Sequence, residues 1–160
     1  MDLTHLDNKG RAKMVDVSGK PVTVRRAVAR GAIYLQESTL EAIAGDKIAK
    51  GDVFAAARLA GITAAKRCDE LIPLCHSIPL DSVSVTLGAE ANPPRVEIES
   101  EVVCSARTGA EMEALLAVSI AALTVYDMVK SIDRTAVIGD IRLVEKSGGK
   151  SGKFVRGESK

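Results

Sequence analysis

The longest apolar stretch of the chain lies in its second half and predicts a central helix. Ala, Leu and Met are frequent between Thr108 and Lys130, and no charged residue occurs from Ala114 to Tyr126. Thr108, with Glu111 three residues later, is typical of a capping box, so about six helical turns should follow. Such a helix falls short of the roughly 20 apolar residues that a bilayer requires. Because it is apolar on every side, it must be covered by other elements or by a second subunit.

Alternating apolar positions predict the strands. Val22 to Leu35 is rich in Val, Ala and Ile and indicates a long first strand. Two cleanly alternating segments, 83–87 and 96–102, are separated by Asn92-Pro93-Pro94 and predict an antiparallel hairpin with one buried face. The segment 137–144 predicts the last strand.

Two further helices should lie between the first two strands. Ser38 is a candidate N-cap of a short helix that ends at Gly45. A longer helical pattern runs from Lys50 to Leu71, and Pro73 ends it.

The resulting order, β-α-β-β-α-β, predicts an α+β protein of the ferredoxin-like plan. In that plan a four-stranded antiparallel sheet carries its helices on one face. We expect one domain over 1–160. Its ends, 1–20 and 147–160, are polar and rich in Gly, Ser and Lys, and we expect them to be flexible.

Composition narrows the classes of partner. Basic and acidic residues number 22 and 21, so no overall field draws the chain to nucleic acid or to a membrane. Aromatic residues make up 2%, which disfavours recognition of single-stranded RNA by stacking. Three cysteines without an N-terminal apolar segment fit a cytoplasmic protein, and their spacing is unlike that of a zinc site. We therefore expect no metal.

Three short functional motifs can be rejected from the sequence. Gly149-Lys150-Ser151 resembles the end of a P-loop, but Val144 stands where the first glycine belongs and no helix follows. The glycine fingerprint of a dinucleotide-binding fold is absent. Cys75 and His76 are neighbours on an extended segment, where adjacent side chains point in different directions, so they make a poor catalytic dyad.

Charged residues bracket the central helix, with Glu111 and Glu113 at one end and Asp127 and Lys130 at the other. In one interpretation the glutamates complement the helix dipole and Lys130 pairs with Asp127. In the other, Asp127 is a proton carrier whose pKa depends on Lys130. Glu113 and Asp127 lie about 21 Å apart along the helix. If both ends belong to one kind of site, a second protomer must complete it.

Several basic residues lie at the ends of predicted elements, where together they could hold a polyphosphate. They are Arg25, Arg26, Lys50, Lys66, Arg67, Lys130 and Lys146.

Seven segments are similar in order to one protein family: MVDVS at 14–18, KGDVF at 50–54, AAKR at 64–67, LIPLCH at 71–76, TGAEMEAL at 108–115, ALTVYDM at 122–128 and KSGGKSG at 146–152. The chain resembles the molybdenum cofactor biosynthesis protein C family, the cyclic pyranopterin monophosphate synthases. The resemblance extends from about Leu3 to Phe154.

The resemblance implies a pyrophosphate-releasing phosphorus–oxygen lyase. Members of the family convert a cyclised dihydro-GTP, supplied by a radical SAM GTP cyclase, to cyclic pyranopterin monophosphate, an early step of molybdenum cofactor biosynthesis. They are hexamers, trimers of dimers, with active sites at a dimer interface. The resemblance implies no cofactor, although Mg²⁺ could accompany the triphosphate of the substrate.

The resemblance also implies roles for individual residues. Asp127 would be the catalytic acid or base, with Lys50 and Lys130 beside it. A second group would hold the base-derived end of the substrate: Leu74, Cys75, His76, Met112 and Glu113. A third group would complete the pocket, its cations facing the triphosphate: Asp16, Arg25, Lys66, Glu111 and Lys146.

Two alternatives of other classes remain on the residues alone. One is a non-catalytic ferredoxin-like regulatory module that binds a nucleotide or anion between subunits. The other is an RNA-binding ferredoxin-like domain, which the scarcity of aromatic residues and the near-zero charge disfavour.

Overall fold

The structure is a computed structural model that describes residues 6, 9–150 and 152–157. Its named elements, in chain order, are β1 Thr23–Tyr34, α1 Glu37–Ala44, α2 Val53–Ala65, α3 Cys68–Leu71, β2 Ser82–Ala91, β3 Pro94–Ala106, α4 Glu111–Val129, β4 Val137–Ser147 and β5 Phe154–Val155. Parts of the two ends that the sequence predicts to be flexible lie outside the described residues.

The strands form one antiparallel sheet in the order β2-β3-β1-β4-β5. The α+β prediction is therefore confirmed, but the prediction of four strands is wrong. The fifth strand is short and lies in the C-terminal tail, where Phe154 pairs with Lys146 and Val155 with Glu145. An edge strand such as β4 presents unpaired N–H and C=O groups, and this apolar pair supplies partners for them.

The core lies between the sheet and the helices. Ala27, Ala29 and Ile33 of β1 are fully buried, as are Ala114, Ala117, Val118, Ala121 and Val125 of α4. Such small side chains let backbones approach closely. A Cβ added at Gly61 of α2 would lie 2.9 Å from the carbonyl oxygen of Ala117. Gly61 therefore does not interrupt α2, but lets it pack directly on α4.

Charged side chains of β1 and β3 form ion pairs across the sheet. Arg26 binds Glu101 of β3 and lies 3.1 Å from Glu145 of β4, and Arg30 binds Glu99 at 2.6 Å. Arg26 is thus paired within the sheet, and it takes no part in the cation-rich cleft described below.

The helix boundaries correct two sequence predictions. The capping box at Thr108 is wrong, since α4 begins at Glu111 after Ala110, which makes no side-chain cap hydrogen bond. The carboxylate of Glu111 instead accepts a hydrogen bond from Lys146 at 2.7 Å. The predicted cap at Ser38 is also wrong, because α1 begins at Glu37 and Gln36 takes the cap position. The end of α1 at Gly45 is confirmed.

The pattern from Lys50 to Leu71 forms two helices rather than one. Asp52 caps α2 by accepting a hydrogen bond from the Ala55 amide at 2.9 Å, and α3 is a single turn after Arg67. The expectation that the central helix falls short of a bilayer span is wrong, because among the described helices α4 has the length and the apolar composition of such a span. Its packing against α2 and the sheet identifies it as the core helix.

Candidate active site

A three-charge cluster lies at the C-terminal end of α4. Asp127 Oδ1 accepts a hydrogen bond from Lys130 Nζ at 2.7 Å, and its Oδ2 accepts one from Lys50 Nζ at 2.8 Å. Lys50 also donates to the Asp127 carbonyl oxygen at 2.7 Å, which fixes its ammonium group against the helix end. The predicted i,i+3 pair is thus confirmed, and the loop before α2 adds a second cation to it.

The two lysines keep the Asp127 carboxylate charged. Hydrogen bonds from Lys130 and Lys50 lower the pKa of Asp127 to about 2. The same contact raises the pKa of Lys130 above its ordinary value. About half of each side chain is exposed, so the cluster is open to solvent and to a ligand. In the free protomer it is a carboxylate held between two ammonium groups.

A different environment surrounds Glu113 near the N-terminal end of α4. Glu113 is 2% exposed, and its Oε2 is buried with no hydrogen-bond partner among the described residues. Its Oε1 lies 3.5 Å from Cys75 Sγ, which in turn lies 3.9 Å from Cys68 Sγ. Burial raises the pKa of Glu113, although its own backbone amide and the Cys75 thiol act in the opposite direction.

The thiols around Glu113 are kept protonated by the same burial. Desolvation, followed by the nearby Glu113 charge, raises the pKa of Cys104 to about 11 and raises those of Cys68 and Cys75. Neutral thiols are poor nucleophiles, which agrees with the rejection of a catalytic Cys75–His76 dyad. In the described part of the chain, Cys68, Cys75 and Glu113 could hold a metal ion, with ligand atoms within 4.8 Å of one another.

A cleft of about 860 Å³ lies beside the start of α4. Five cationic side chains and one carboxylate line it: Lys20, Arg25, Arg107, Lys146, Lys150 and Glu111. Arg25 is held by hydrogen bonds to the carbonyl oxygens of Ala106, at 3.4 Å, and Arg107, at 3.2 Å. The structure therefore brings together three predicted site residues, Arg25, Glu111 and Lys146.

Two glycines carry the C-terminal segment over Arg25. Gly148 and Gly149 have φ of +98° and +70°, in the left-handed region that favours glycine. A Cβ added at Gly149 would lie 2.1 Å from Arg25 Nη1, and one at Gly148 would lie 2.3 Å from the Val24 carbonyl oxygen. The Gly-Gly pair is needed here because any side chain would displace the guanidinium group or the strand.

The remaining predicted residues lie outside these clusters. His76 Nε2 lies 2.7 Å from the carbonyl oxygen of Val15, beside Asp16, whose carboxylate accepts from the Ser18 amide at 2.8 Å. Lys66 lines a separate groove with Ile62 and Ile78.

Two predicted apolar residues are accessible to a ligand or a partner. Leu74 is 37% exposed and Met112 is 38% exposed.

Arg67, one of the basic residues at predicted element ends, pairs with Glu70 at 3.2 Å.

The structure adds residues that sequence reasoning missed. Cys68 contacts Cys75, and Lys20, Thr23, Arg107 and Lys150 line the cleft. A signal for Lys150 exists in the sequence, since it follows two glycines beside Lys146. Lys20, Thr23 and Arg107 meet at the cleft only because the fold brings distant segments together. The pattern of residues along the chain does not show such contacts.

The fold and the two ends of α4 define an α+β protein with a carboxylate held between two ammonium groups at one end of the helix and a cation-rich cleft at the other. Residues 14–149 match the MoaC family, and the chain belongs to it. The family resemblance seen in the sequence is thus confirmed.

Curated relatives agree with the family match over nearly the whole chain. A protein of Desulfitobacterium hafniense is 57% identical over 98% of this chain and 95% of its own length. Proteins of Pelotomaculum thermopropionicum and Roseiflexus castenholzii are each 55% identical over 96% of this chain, covering 91% and 98% of their lengths. All three are named cyclic pyranopterin monophosphate synthase.

Proposed function

We propose that this chain catalyses the formation of cyclic pyranopterin monophosphate from cyclised dihydro-GTP, with release of pyrophosphate, in molybdenum cofactor biosynthesis. The curated relatives, identical at more than half of the aligned positions, carry the name of that enzyme. The observation that carries the mechanism is the Asp127 carboxylate held between Lys50 and Lys130. We expect the enzyme to act in the cytoplasm.

The cluster has the residue types that the reaction needs. Rearranging a purine-derived ring to a pterin requires repeated proton transfers, and a carboxylate with two ammonium groups can act as base and acid. In the free protomer Asp127 is ionised and Lys130 is protonated, so Asp127 starts as the base and Lys130 as an acid. A substrate anion that draws either lysine away removes a hydrogen bond from Asp127, and the pKa of Asp127 then rises toward its ordinary value of 3.8.

The cation-rich cleft supports the second part of the reaction. A sugar hydroxyl attacks the α-phosphorus while pyrophosphate leaves, and negative charge develops on the phosphoryl oxygens. Arg25 is held rigidly by two carbonyl oxygens, and Lys146 is held by Glu111. Such preorganised cations stabilise charge without having to move during the reaction. Mg²⁺ bound with the triphosphate remains compatible with this assignment, and no step depends on it.

We infer that one active site draws on two protomers. Fourteen residues of α4 separate Glu113 from Asp127, about 21 Å of rigid helix, which is too far for one small substrate to span. The outward face of the same helix carries Leu123, 53% exposed, and Met112, 38% exposed, and such apolar exposure favours burial by a second copy. A hexamer built as a trimer of dimers would place the N-terminal end of one α4 near the C-terminal end of another.

We further infer that the four long strands and the helices follow the ferredoxin-like plan. The strand order β2-β3-β1-β4 supports this inference. The short β5 is then an addition at the β4 edge.

The direct test is turnover by the purified chain. Wild type and Asp127→Asn are mixed with cyclised dihydro-GTP, and pyrophosphate and cyclic pyranopterin monophosphate are followed by mass spectrometry. We expect product from wild type and a loss of about 10²- to 10⁴-fold in the variant, the usual contribution of a general acid or base. Glu41→Gln, an exposed carboxylate on α1, is the matched control. Near wild-type turnover by Asp127→Asn would remove Asp127 from the mechanism.

A further inference from the structure

We propose that Cys68, Cys75 and Glu113 form a zinc-binding site, with the two thiolates and one carboxylate oxygen as ligands. The site lies where α3 and the turn after it meet the first turn of α4. Binding of a metal ion at this place does not depend on turnover, so the site stands apart from the proposed function.

The distances between the ligand atoms match those of a tetrahedral zinc site. Cys68 Sγ lies 3.9 Å from Cys75 Sγ, and Cys75 Sγ lies 3.5 Å from Glu113 Oε1. With Zn–S bonds of about 2.3 Å and Zn–O bonds of about 2.0 Å, tetrahedral angles separate two sulfurs by about 3.8 Å and a sulfur from an oxygen by about 3.5 Å. All three ligand atoms lie within 4.8 Å of one another. Two edges of the site are thus already at the spacing that zinc requires.

The buried carboxyl group of Glu113 is an independent observation that points to a ligand. Glu113 is 2% exposed, and its Oε2 has no hydrogen-bond partner among the described residues. Its Oε1 accepts from the thiol of Cys75, which is a weak donor. A charged group buried in this way is costly unless it is paired or coordinates a metal. A divalent cation between Glu113 and the two sulfurs would balance its charge.

The fold brings the two sulfurs together although seven positions separate them along the chain. The Ile72 amide donates to the Cys68 carbonyl oxygen at 2.9 Å and closes the single turn of α3. The Cys75 amide then donates to the Ile72 carbonyl oxygen at 3.0 Å, so the chain bends back toward Cys68. The sequence expectation of no metal considers spacing along the chain, which does not reflect these two turns.

The ligand types favour Zn²⁺ over other divalent ions. Thiolates are soft ligands that select zinc, whereas Mg²⁺ and Ca²⁺ prefer oxygen. On binding, Zn²⁺ takes the place of the two thiol protons, which pass to the solvent, and both sulfurs become thiolates. Cys68 and Glu113 are buried and Cys75 is half-buried, so solvent reaches the site from the side of Cys75. A water molecule on that side can complete the coordination.

Zinc binding to the full chain, stripped of metal, tests the assignment. Competition with a chromophoric chelator gives the stoichiometry and the dissociation constant, and Co²⁺ in place of Zn²⁺ gives a sulfur-to-metal charge-transfer band that reports thiolate ligands. We expect one ion per wild-type chain. Cys68→Ser and Cys75→Ser should each raise the dissociation constant about a hundredfold or more and weaken the band. Glu113→Gln should raise it about tenfold and keep the band, because both thiolates remain.

Two matched controls separate this site from general binding to acids and thiols. Asp69→Asn removes an exposed carboxylate next to Cys68, and Cys104→Ala removes a thiol outside the ligand group. Both should bind Zn²⁺ as wild type does. Zinc should also raise the unfolding temperature of wild type but not that of Cys75→Ser, because an ion that binds only the folded state stabilises it.

Cys75→Ser, at a half-buried position, keeps the test decisive if Cys68→Ser does not fold. Zinc affinity unchanged in the folded cysteine variants would overturn the assignment, and so would equal losses in the two controls. A wild-type chain that binds Co²⁺ without a charge-transfer band would place the metal elsewhere and overturn it as well.

Discussion

The two ends of α4 hold acidic residues in opposite physical states. At the C-terminal end, Asp127 is half exposed and two lysines keep it ionised with a pKa of about 2. Near the N-terminal end, Glu113 is almost fully buried among thiols and its pKa is raised. Burial and pairing have moved two similar carboxyl groups in opposite directions, the arrangement from which acid and base roles arise.

This difference has a structural cause in one helix. Residue 113 lies on the face of α4 that packs into the core, whereas residue 127 lies on the exposed face, at the start of the last turn. A continuous apolar segment between them keeps the two environments separate. The helix is therefore both the centre of the core and the spacer that separates the two carboxyl groups.

The largest effect is expected on turnover, when a variant at one end of α4 is mixed with a variant at the other end. If one site combines Glu113 of one protomer with Asp127 of another, Glu113→Gln and Asp127→Asn chains refolded together form some sites with both wild-type residues. Random pairing in dimers leaves about a quarter of the sites intact. We expect turnover to rise from near zero in either variant to about a quarter of wild type, measured as pyrophosphate release.

The control for that experiment is a mixture of Asp127→Asn with Lys50→Gln. Both changes lie in the same cluster of one protomer, so random pairing produces no intact site. No recovery in the Glu113 and Asp127 mixture, in chains shown to exchange, would mean that each chain builds its own site.

Sequence reasoning predicted the helix and its charged ends because both depend on local spacing. The pair of Asp127 with Lys130 follows from three residues of helical rotation. Lys50 is a different case, since 77 residues separate it from Asp127 and only the family resemblance indicated that the two lie side by side. The predicted role of Glu111 in a capping box is wrong because a distant lysine, Lys146, offers a stronger partner than a backbone amide.

The fifth strand and the cleft could not be predicted because both depend on contacts between segments that are distant in the chain. The sequence around Phe154 is rich in Gly, Ser and Lys, and that composition outweighs two apolar residues in any local pattern. Its pairing depends on the free edge of β4, which exists only once the sheet has formed. Gly148 and Gly149 likewise give no clue in the sequence to Arg25, the side chain they must clear.

A second prediction concerns stability near Glu113. Because burial raises its folded pKa above the ordinary 4.5, the folded state binds more protons, and stability falls as pH rises from about 4.5 through the folded pKa. Glu113→Gln removes this dependence. We expect the variant to gain about 1–3 kcal/mol over wild type at pH 8, the cost of an unpaired buried polar group, and less at pH 4.

Thermal unfolding of wild type and Glu113→Gln across that pH range measures the difference. Glu41→Gln, in which the exchanged carboxylate is exposed, should follow wild type throughout. A wild type that gains stability over Glu113→Gln as pH rises would show that donors, rather than burial, control this carboxyl group.

The smallest effect is expected for the stability of Asp127→Asn. The folded pKa of about 2 is below the ordinary 3.8, so the contribution of this carboxylate is present above pH 3.8 and is lost as pH falls toward 2. Because the group is exposed, solvent and salt screen its two ion pairs, and removing them should lower the unfolding temperature by less than about 2 °C at pH 7. Unfolding scans at pH 7 and pH 2, each with and without 1 M salt, should show the gap closing in acid and in salt. A large loss of stability at pH 7 would mean that the ion pairs of Asp127 stabilise the fold. Asp127 and Glu113 would then differ in burial, but both would contribute strongly to stability.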